Sequence, residues 1–429
     1  MSAKDQPKRP TAVVMNMFYT GLGIARSLGE MGVPVIGLSA HPGVYGEYTR
    51  YARIAACPDS RNEPEALLGF LREMGRGMGH RAVIFPTRDD DASFLDRYRG
   101  ELSPYFELVV PEASVLQASL DKWETYLWAQ QAEVPAPRAW LIEGPEQLGR
   151  VISEVPYPCV LKPVASYHWR KGNNWARVGG RKAVAVASRE ELLEEYARIA
   201  QVDQRVLLQE MISGGDDCLL ITACYLDHES NLVAAFNTRK LLQAPEGFGT
   251  GIIVQATDAP ELLEPTLRLL KKMHFTGIAE VEFKWDQAER QYRLIEINPR
   301  PWDQHRLGNG CGVNLMYLAY CEHAGLPIPE VQKRISRQKW IAEDAFVTTM
   351  LGLLWRRDPK LRSLFYLARG ERCYAIWSSN DPLPLLAFVI KRYIPGLMAA
   401  GVRAIWSRMF RQKKEVVYAS YLAKGKNHG

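Results

Sequence analysis

Residues 292–305, YRLIEINPRPWDQH, put Glu296, Asn298 and Arg300 on alternate positions at the end of an apolar run. In an extended strand alternate side chains share a face, so a carboxylate, an amide oxygen and a cation project together. Hard divalent cations such as Mg²⁺ take oxygen ligands and complete their shell with substrate phosphates, while a nearby arginine suits a phosphate or carboxylate. Residues 278–285 and 291–298 read as strands around the polar turn DQAER. An antiparallel hairpin then sets Glu282 opposite or diagonal to Glu296. Two facing carboxylates repel unless something cationic sits between them, and two Mg²⁺ ions, with Asn298 as a further ligand, would remove that cost. Solvated glutamates would avoid it too. Their apolar neighbours Ile278, Ala279, Val281, Phe283, Leu294, Ile295 and Ile297 argue against a solvated face.

Other residues point to a phosphate-bearing ligand. In YPCVLKPV, Lys162 closes an apolar strand before proline and needs an anionic partner or a route to water. The stretch SYHWRKGNNWARVGGRKAVAVAS, rich in Gly, Asn and cations, could close over phosphates with backbone N–H groups and charge, or could be an ordinary hairpin loop. RVLLQEMI is a further strand, with Gln209 and Glu210 near its end.

The elements that must position these groups divide the chain. TAVVMNM, VPVIGLS, RAVIFPT and FELVVP alternate with helical stretches, which predicts an N-terminal doubly wound parallel sheet over residues 1–112. GLGIARSLGEMG after the first strand partly matches a dinucleotide fingerprint, yet Ser39, Ala40 and His41 stand where a nicotinamide site needs an acid for the ribose. Gly21 and Gly23 therefore read as turn and packing residues, and an oxidoreductase reading leaves Glu282 and Glu296 unexplained. At 429 residues, 47% hydrophobic and 24% charged, the chain should be globular with several subdomains. Its polar start lacks a secretory pattern, which predicts a cytoplasmic protein. Seven cysteines without a CxxC pair fit neither a disulfide framework nor a zinc site.

In the order LDKWE, VLKPV, LLQEMI, EVEF, EINPRPW, the chain resembles the ATP-grasp superfamily over residues 10 to about 330. Within it the likeness is to carboxylate–amine ligases, including D-alanine:D-alanine ligases, carbamoyl-phosphate-synthase-like enzymes and D-aspartate ligases. The resemblance implies an α/β and α+β chain: a pre-ATP-grasp Rossmann-like domain (1–112), an ATP-grasp small lobe (113–210), a large lobe with the metal site (211–331) and a basic, mainly helical C-terminal extension (332–429). By position, Lys122 and Lys162 would contact nucleotide phosphates. Gln209, Glu210, Met211 and Ile212 would meet adenine, and Asp216 or Asp217 the ribose region. Glu282, Glu296 and Asn298 would bind two Mg²⁺ ions, for which Mn²⁺ could substitute. Arg300, Arg239 and Lys240 would meet the transferred phosphoryl group or the substrate carboxylate. PWDQH departs from the small residues often found in relatives, which places Asp303, Gln304 and His305 at the substrate.

The implied reaction is ADP-forming ligation of a small carboxylate, such as an amino acid, to an amine or thiol through an acyl phosphate. Residues 166–180 would be a lid that excludes water. The alternative is a non-catalytic nucleotide-binding scaffold. From Gln332 onward the sequence has 19 Lys/Arg against 6 Asp/Glu. That basic tail, with an apolar and basic pattern over residues 397–410, suggests peripheral contact with an anionic membrane at its inner face, or packing on the body or on a second subunit in a homodimer. No nucleic-acid partner is expected.

Overall fold

The computed structural model describes residues 9–395 apart from 171 and 246. Its first sheet is parallel, with order β3-β2-β1-β4-β5, from β1 (Ala12–Met15), β2 (Val35–Ser39), β3 (Arg53–Ala56), β4 (Ala82–Phe85) and β5 (Phe106–Leu108). β1, β2 and β4 are wholly buried apolar runs, as a sheet covered on both faces requires. The chain leaves β1 and enters the helix Tyr19–Gly29 through a close turn. There a Cβ on Gly21 would lie 1.8 Å from the Asn16 carbonyl oxygen, so only glycine fits.

A second sheet is antiparallel, with order β6-β9-β7-β8, from β6 (Ala139–Ile142), β7 (Cys159–Pro163), β8 (Val184–Val186) and β9 (Val206–Glu210). The third has seven strands. It is built from β10 (Leu219–Leu226), β11 (Leu232–Ala244), β12 (Thr250–Thr257), β13 (Gly277–Asp286), β14 (Gln291–Asn298), β15 (Lys339–Ile341) and β16 (Arg372–Tyr374), in the order β14-β13-β10-β11-β12-β15-β16. One core beneath it joins Leu220, Val281, Phe283, Leu294 and Ile297 to Ala129 and Val134 from the helix Lys122–Gln131 and its exit.

The described part of the C-terminal extension is mainly helical, as expected, with Glu343–Arg356, Lys360–Leu367 and Leu383–Phe388, and it also carries two short strands. β15 pairs with β12 and β16 with β15, extending the large sheet. Trp340, Ile341, Ile376 and Phe388 belong to the same core as Leu22 and Ile24 of the first helix. Arg26 and Asp381, both almost fully buried, form an ion pair at 2.9 Å. Residues 332–395 are thus built into the body, because two short strands and a buried charge pair tie them to it. The pattern over residues 397–410 lies outside the described residues. Among the described residues no helix is long and apolar enough to cross a membrane.

Candidate active site

The β13/β14 hairpin is the floor of the site. Its register sets Glu280 opposite Asn298 and Glu282 opposite Glu296, with a bulge after Glu282. Ala279, Val281, Phe283 and Ile297 point into the core below, so strand alternation sends the carboxylates the other way, into a cavity of about 610 Å³. Glu280 and Glu282 are almost fully buried there. Asn298 Nδ2 donates to Glu280 Oε2 at 2.9 Å and approaches Glu296 Oε1 at 3.5 Å.

Cations converge on this floor from every side. Lys240 Nζ donates to Glu282 Oε2 at 2.6 Å. Lys162, from the end of β7, donates to Gln209 Oε1 at 2.7 Å, and Lys122 to Ser166 Oγ at 3.1 Å. Lys182 bonds Thr250 Oγ1 at 2.7 Å, and Lys284 the Ile212 carbonyl at 2.9 Å. Burial pushes the Lys162 ammonium down to about 8. Burial also pushes the Glu280 carboxyl up to about 8, with Glu282 and Glu296 adding to the rise and Lys240 opposing it. Glu296 goes the other way: burial raises it, but Lys122, Lys240, Lys162 and Lys182 outweigh that and hold it below the usual carboxylate range. Burial thus works against charge on Lys162 and Glu280, while Glu282 is paired with Lys240 and the surrounding lysines favour the charged form of Glu296.

Each end of the cavity has its own chemistry. At one end Val160, Ala185, Leu219 and Ile295 supply apolar walls beside the Gln209–Ile212 segment. At the other, Thr20, Thr87, Arg88 and Asp89 reach in from the first sheet. These follow β1 and β4, the pair between which the strand order reverses, where open parallel sheets bind ligands beyond their carboxyl ends. Arg300 Nε donates to Asp89 Oδ1 at 2.6 Å, and Thr20 Oγ1 to Asp303 Oδ1 at 2.7 Å. Gln304 Nε2 donates to the Gly251 carbonyl at 3.2 Å.

Of the residues singled out in sequence, the cavity wall brings together Lys122, Lys162, Gln209, Glu210, Met211, Ile212, Lys240, Glu282, Glu296, Asn298, Arg300, Asp303 and Gln304. Glu210 is already engaged by Arg138 at 2.7 Å and by Arg293. Four residues are placed elsewhere. Arg239 precedes Lys240 on β11, and alternation turns it to the opposite face. Asp216 accepts from Gln243 N at 2.8 Å and Gly247 N at 3.2 Å, so it pins the far end of β11, and Asp217 beside it is also outside the wall. His305 is 2% exposed, with Nε2 3.3 Å from the Thr20 carbonyl oxygen, and packs under the first helix where a Cβ on Gly23 would come within 2.6 Å of it. Burial pushes its imidazole down to about 3, so it stays neutral.

Sequence reasoning missed Glu280, although it lies two residues before Glu282 and the same period would have found it. Lys182, Lys284 and the Thr87–Asp89 turn were missed as well, the last because only the fold brings it near Arg300. Residues 166–177 are mostly two short helices, Ser166–Arg170 and Asn174–Arg177, rather than an open loop. Trp169 of the first is buried in the core with Leu161 and Val184, and Arg170 faces the cavity.

For Mg²⁺, the donor set is carboxylate and amide oxygen, the hard ligands that ion takes, and crowded carboxylates on one face gain from a cation. Among the described residues no three His, Cys, Asp or Glu side chains form a metal cage by themselves. Glu282, paired with Lys240, and Glu296 and Asn298 offer oxygen ligands of the type Mg²⁺ takes, fewer than its full shell.

No family model matches the chain. It is 23% identical over 264 residues to the D-aspartate ligase of Enterococcus faecium, matching 59% of this chain and 62% of that protein. The chain therefore spans about three fifths of that relative's length. A biotin carboxylase from Campylobacter jejuni, solved as a βγ-ATP complex, superposes with a TM-score of 0.60 at 17% identity, covering 75% of this chain and 72% of that one. The L-amino acid ligase of Bacillus licheniformis superposes at 0.55 with 14% identity, covering 74% and 75%. The fold is that of ATP-grasp proteins, with distant similarity in sequence to a ligase of that kind. The cavity is lined by residues of the four- and seven-stranded sheets and by residues that follow β1 and β4 of the parallel sheet.

Proposed function

We propose that this ATP-grasp chain is an ATP- and Mg²⁺-dependent ligase that joins a small carboxylate, an amino acid or a close relative, to an amine. The observation that carries the reading is the ordering of groups along one cavity: an apolar end with a strand edge, a lysine cluster over carboxylates, then Arg300 among the acids Asp89, Asp303 and Glu280. That order suits adenine, then a phosphate chain, then a carboxylate and an ammonium. Similarity to the D-aspartate and L-amino acid ligases supports the same class.

In this reading the Gln209–Ile212 edge takes the base, and Lys122, Lys162 and Lys182 take the phosphates. Glu282, Glu296 and Asn298 would hold Mg²⁺, whose contribution is to neutralise phosphate charge. Arg300 orients the substrate carboxylate so that one of its oxygens attacks the γ-phosphorus. ADP leaves, and the carboxylate becomes an acyl phosphate. The amine then attacks the carbonyl carbon, the C–O bond to phosphate breaks, and the amine's proton departs. Positioning and charge neutralisation do most of this work. Ser166, Arg170 and residues 247–251 line the cavity where water would otherwise hydrolyse the acyl phosphate. The test is an amino-acid screen for ADP release: turnover should need both a carboxylate and an amine. ATP binding with no substrate-dependent ADP would refute it.

A further inference from the structure

The helices Glu343–Arg356 and Lys360–Leu367 form a hairpin whose first helix packs against β12. Leu353, Leu364 and Ala368 are buried and seat it on the core. Leu351, Leu354 and Trp355 fall at positions one, four and five, so they share a face. That face points outward: the three are 41%, 57% and 82% exposed. The second helix leaves Phe365 and Tyr366 50% and 70% exposed. Five large apolar side chains standing clear of one short hairpin mark an interaction surface rather than scattered surface residues.

Charge tells what fits it. Between Leu351 and Gly370 there are five Lys/Arg and one Asp. Arg356, Arg357, Arg362 and Arg369 are exposed and form no ion pair among the described residues. Residues 396–429 carry seven Lys/Arg against one Glu, so that segment would meet the hairpin as like against like. A second copy docking through the same face would oppose its own arginines in the same way. A nucleic acid would accept the cations but offers nothing to Leu351 and Leu354. An anionic bilayer satisfies both halves: phosphates for arginine, the acyl boundary for leucine and phenylalanine, and the headgroup layer for Trp355 and Tyr366.

We propose that this hairpin rests on the surface of a bilayer containing anionic phospholipid and holds the ligase body there, without spanning it. The inference is independent of the reaction assigned above. The experiment is flotation of the full chain with phosphatidylcholine vesicles, with and without phosphatidylglycerol. We expect binding only to the anionic vesicles, weakened by salt. Trp355→Ser with Tyr366→Ser should lower that binding roughly tenfold, and Arg356→Gln with Arg357→Gln about fivefold per charge removed. All four positions are exposed, so an unchanged melting curve accompanies the loss. No vesicle binding by the native chain overturns the proposal. So does equal binding by the variants, which would put the contact elsewhere, or a Trp355-dependent dimer or duplex-DNA complex formed in place of vesicle binding.

Discussion

Replacing Lys162 by methionine should move the stability of the ligand-free protein and its nucleotide affinity in opposite directions. Lys162 is held at about 8 against an ordinary 10.5, with burial as the first cause. That displacement corresponds to about 3 kcal/mol of cost for keeping the ammonium charged inside the cavity at neutral pH. Methionine removes the charge and keeps the length, while the lost bond to Gln209 gives back about 1 kcal/mol. The net expectation is a ligand-free variant more stable by about 1–2 kcal/mol at pH 7. The sign with pH follows from the direction of the displacement. Because the folded value lies below the free-lysine value, the native chain pays the full cost below about 8 and none above 10.5. The variant's advantage should therefore shrink across that window. Nucleotide affinity should fall by about 1.5–3 kcal/mol, roughly 10- to 150-fold, through loss of a charge-assisted phosphate contact. Calorimetric melting at neutral and alkaline pH, with titration by Mg-ATP, reads both. A variant less stable than the native protein at pH 7, with unchanged ATP affinity, would refute the reasoning.

Glu296→Gln should abolish turnover while the far-ultraviolet circular dichroism spectrum is kept, because one lost carboxylate leaves the floor underneutralised towards Mg²⁺; retained ADP production would contradict this. Asp303→Gly with Gln304→Ser should change which amino acid is accepted and leave the ATP dissociation constant alone, measured by parallel kinetics and calorimetry. His305→Ala should instead lower the melting temperature without altering substrate choice, since the ring is buried under the first helix and faces away from the cavity. Asp89→Asn strips the partner from a mostly buried Arg300 and should cost on the order of 3–5 kcal/mol in denaturant unfolding.

What could be read in the sequence was whatever period and turn chemistry control. The β13/β14 hairpin falls where alternation around DQAER places it, and the parallel sheet follows the alternation of apolar strands with helices. Arg239 could have been set aside by the same alternation, since its neighbour Lys240 occupies the cavity face. Other features depend on contacts distant in sequence. Asp89 meets Arg300 across 211 positions, and Thr20 meets Asp303 across 283. β15 and β16 have three residues each, too short for any period to register. His305 follows the strand's end, where a turn rather than alternation sets side-chain direction, so its inward placement left no sequence signal.

The central claim, that a carboxylate is activated by phosphoryl transfer, is tested most directly by labelling that carboxylate with oxygen-18 and collecting the phosphate released with the ligated product. Bridging through an acyl phosphate transfers one labelled oxygen to phosphate at each turnover, and Glu296→Gln should abolish the transfer. Phosphate released without label during product formation, or ATP bound without ADP formed for any carboxylate and amine pair, would contradict the account.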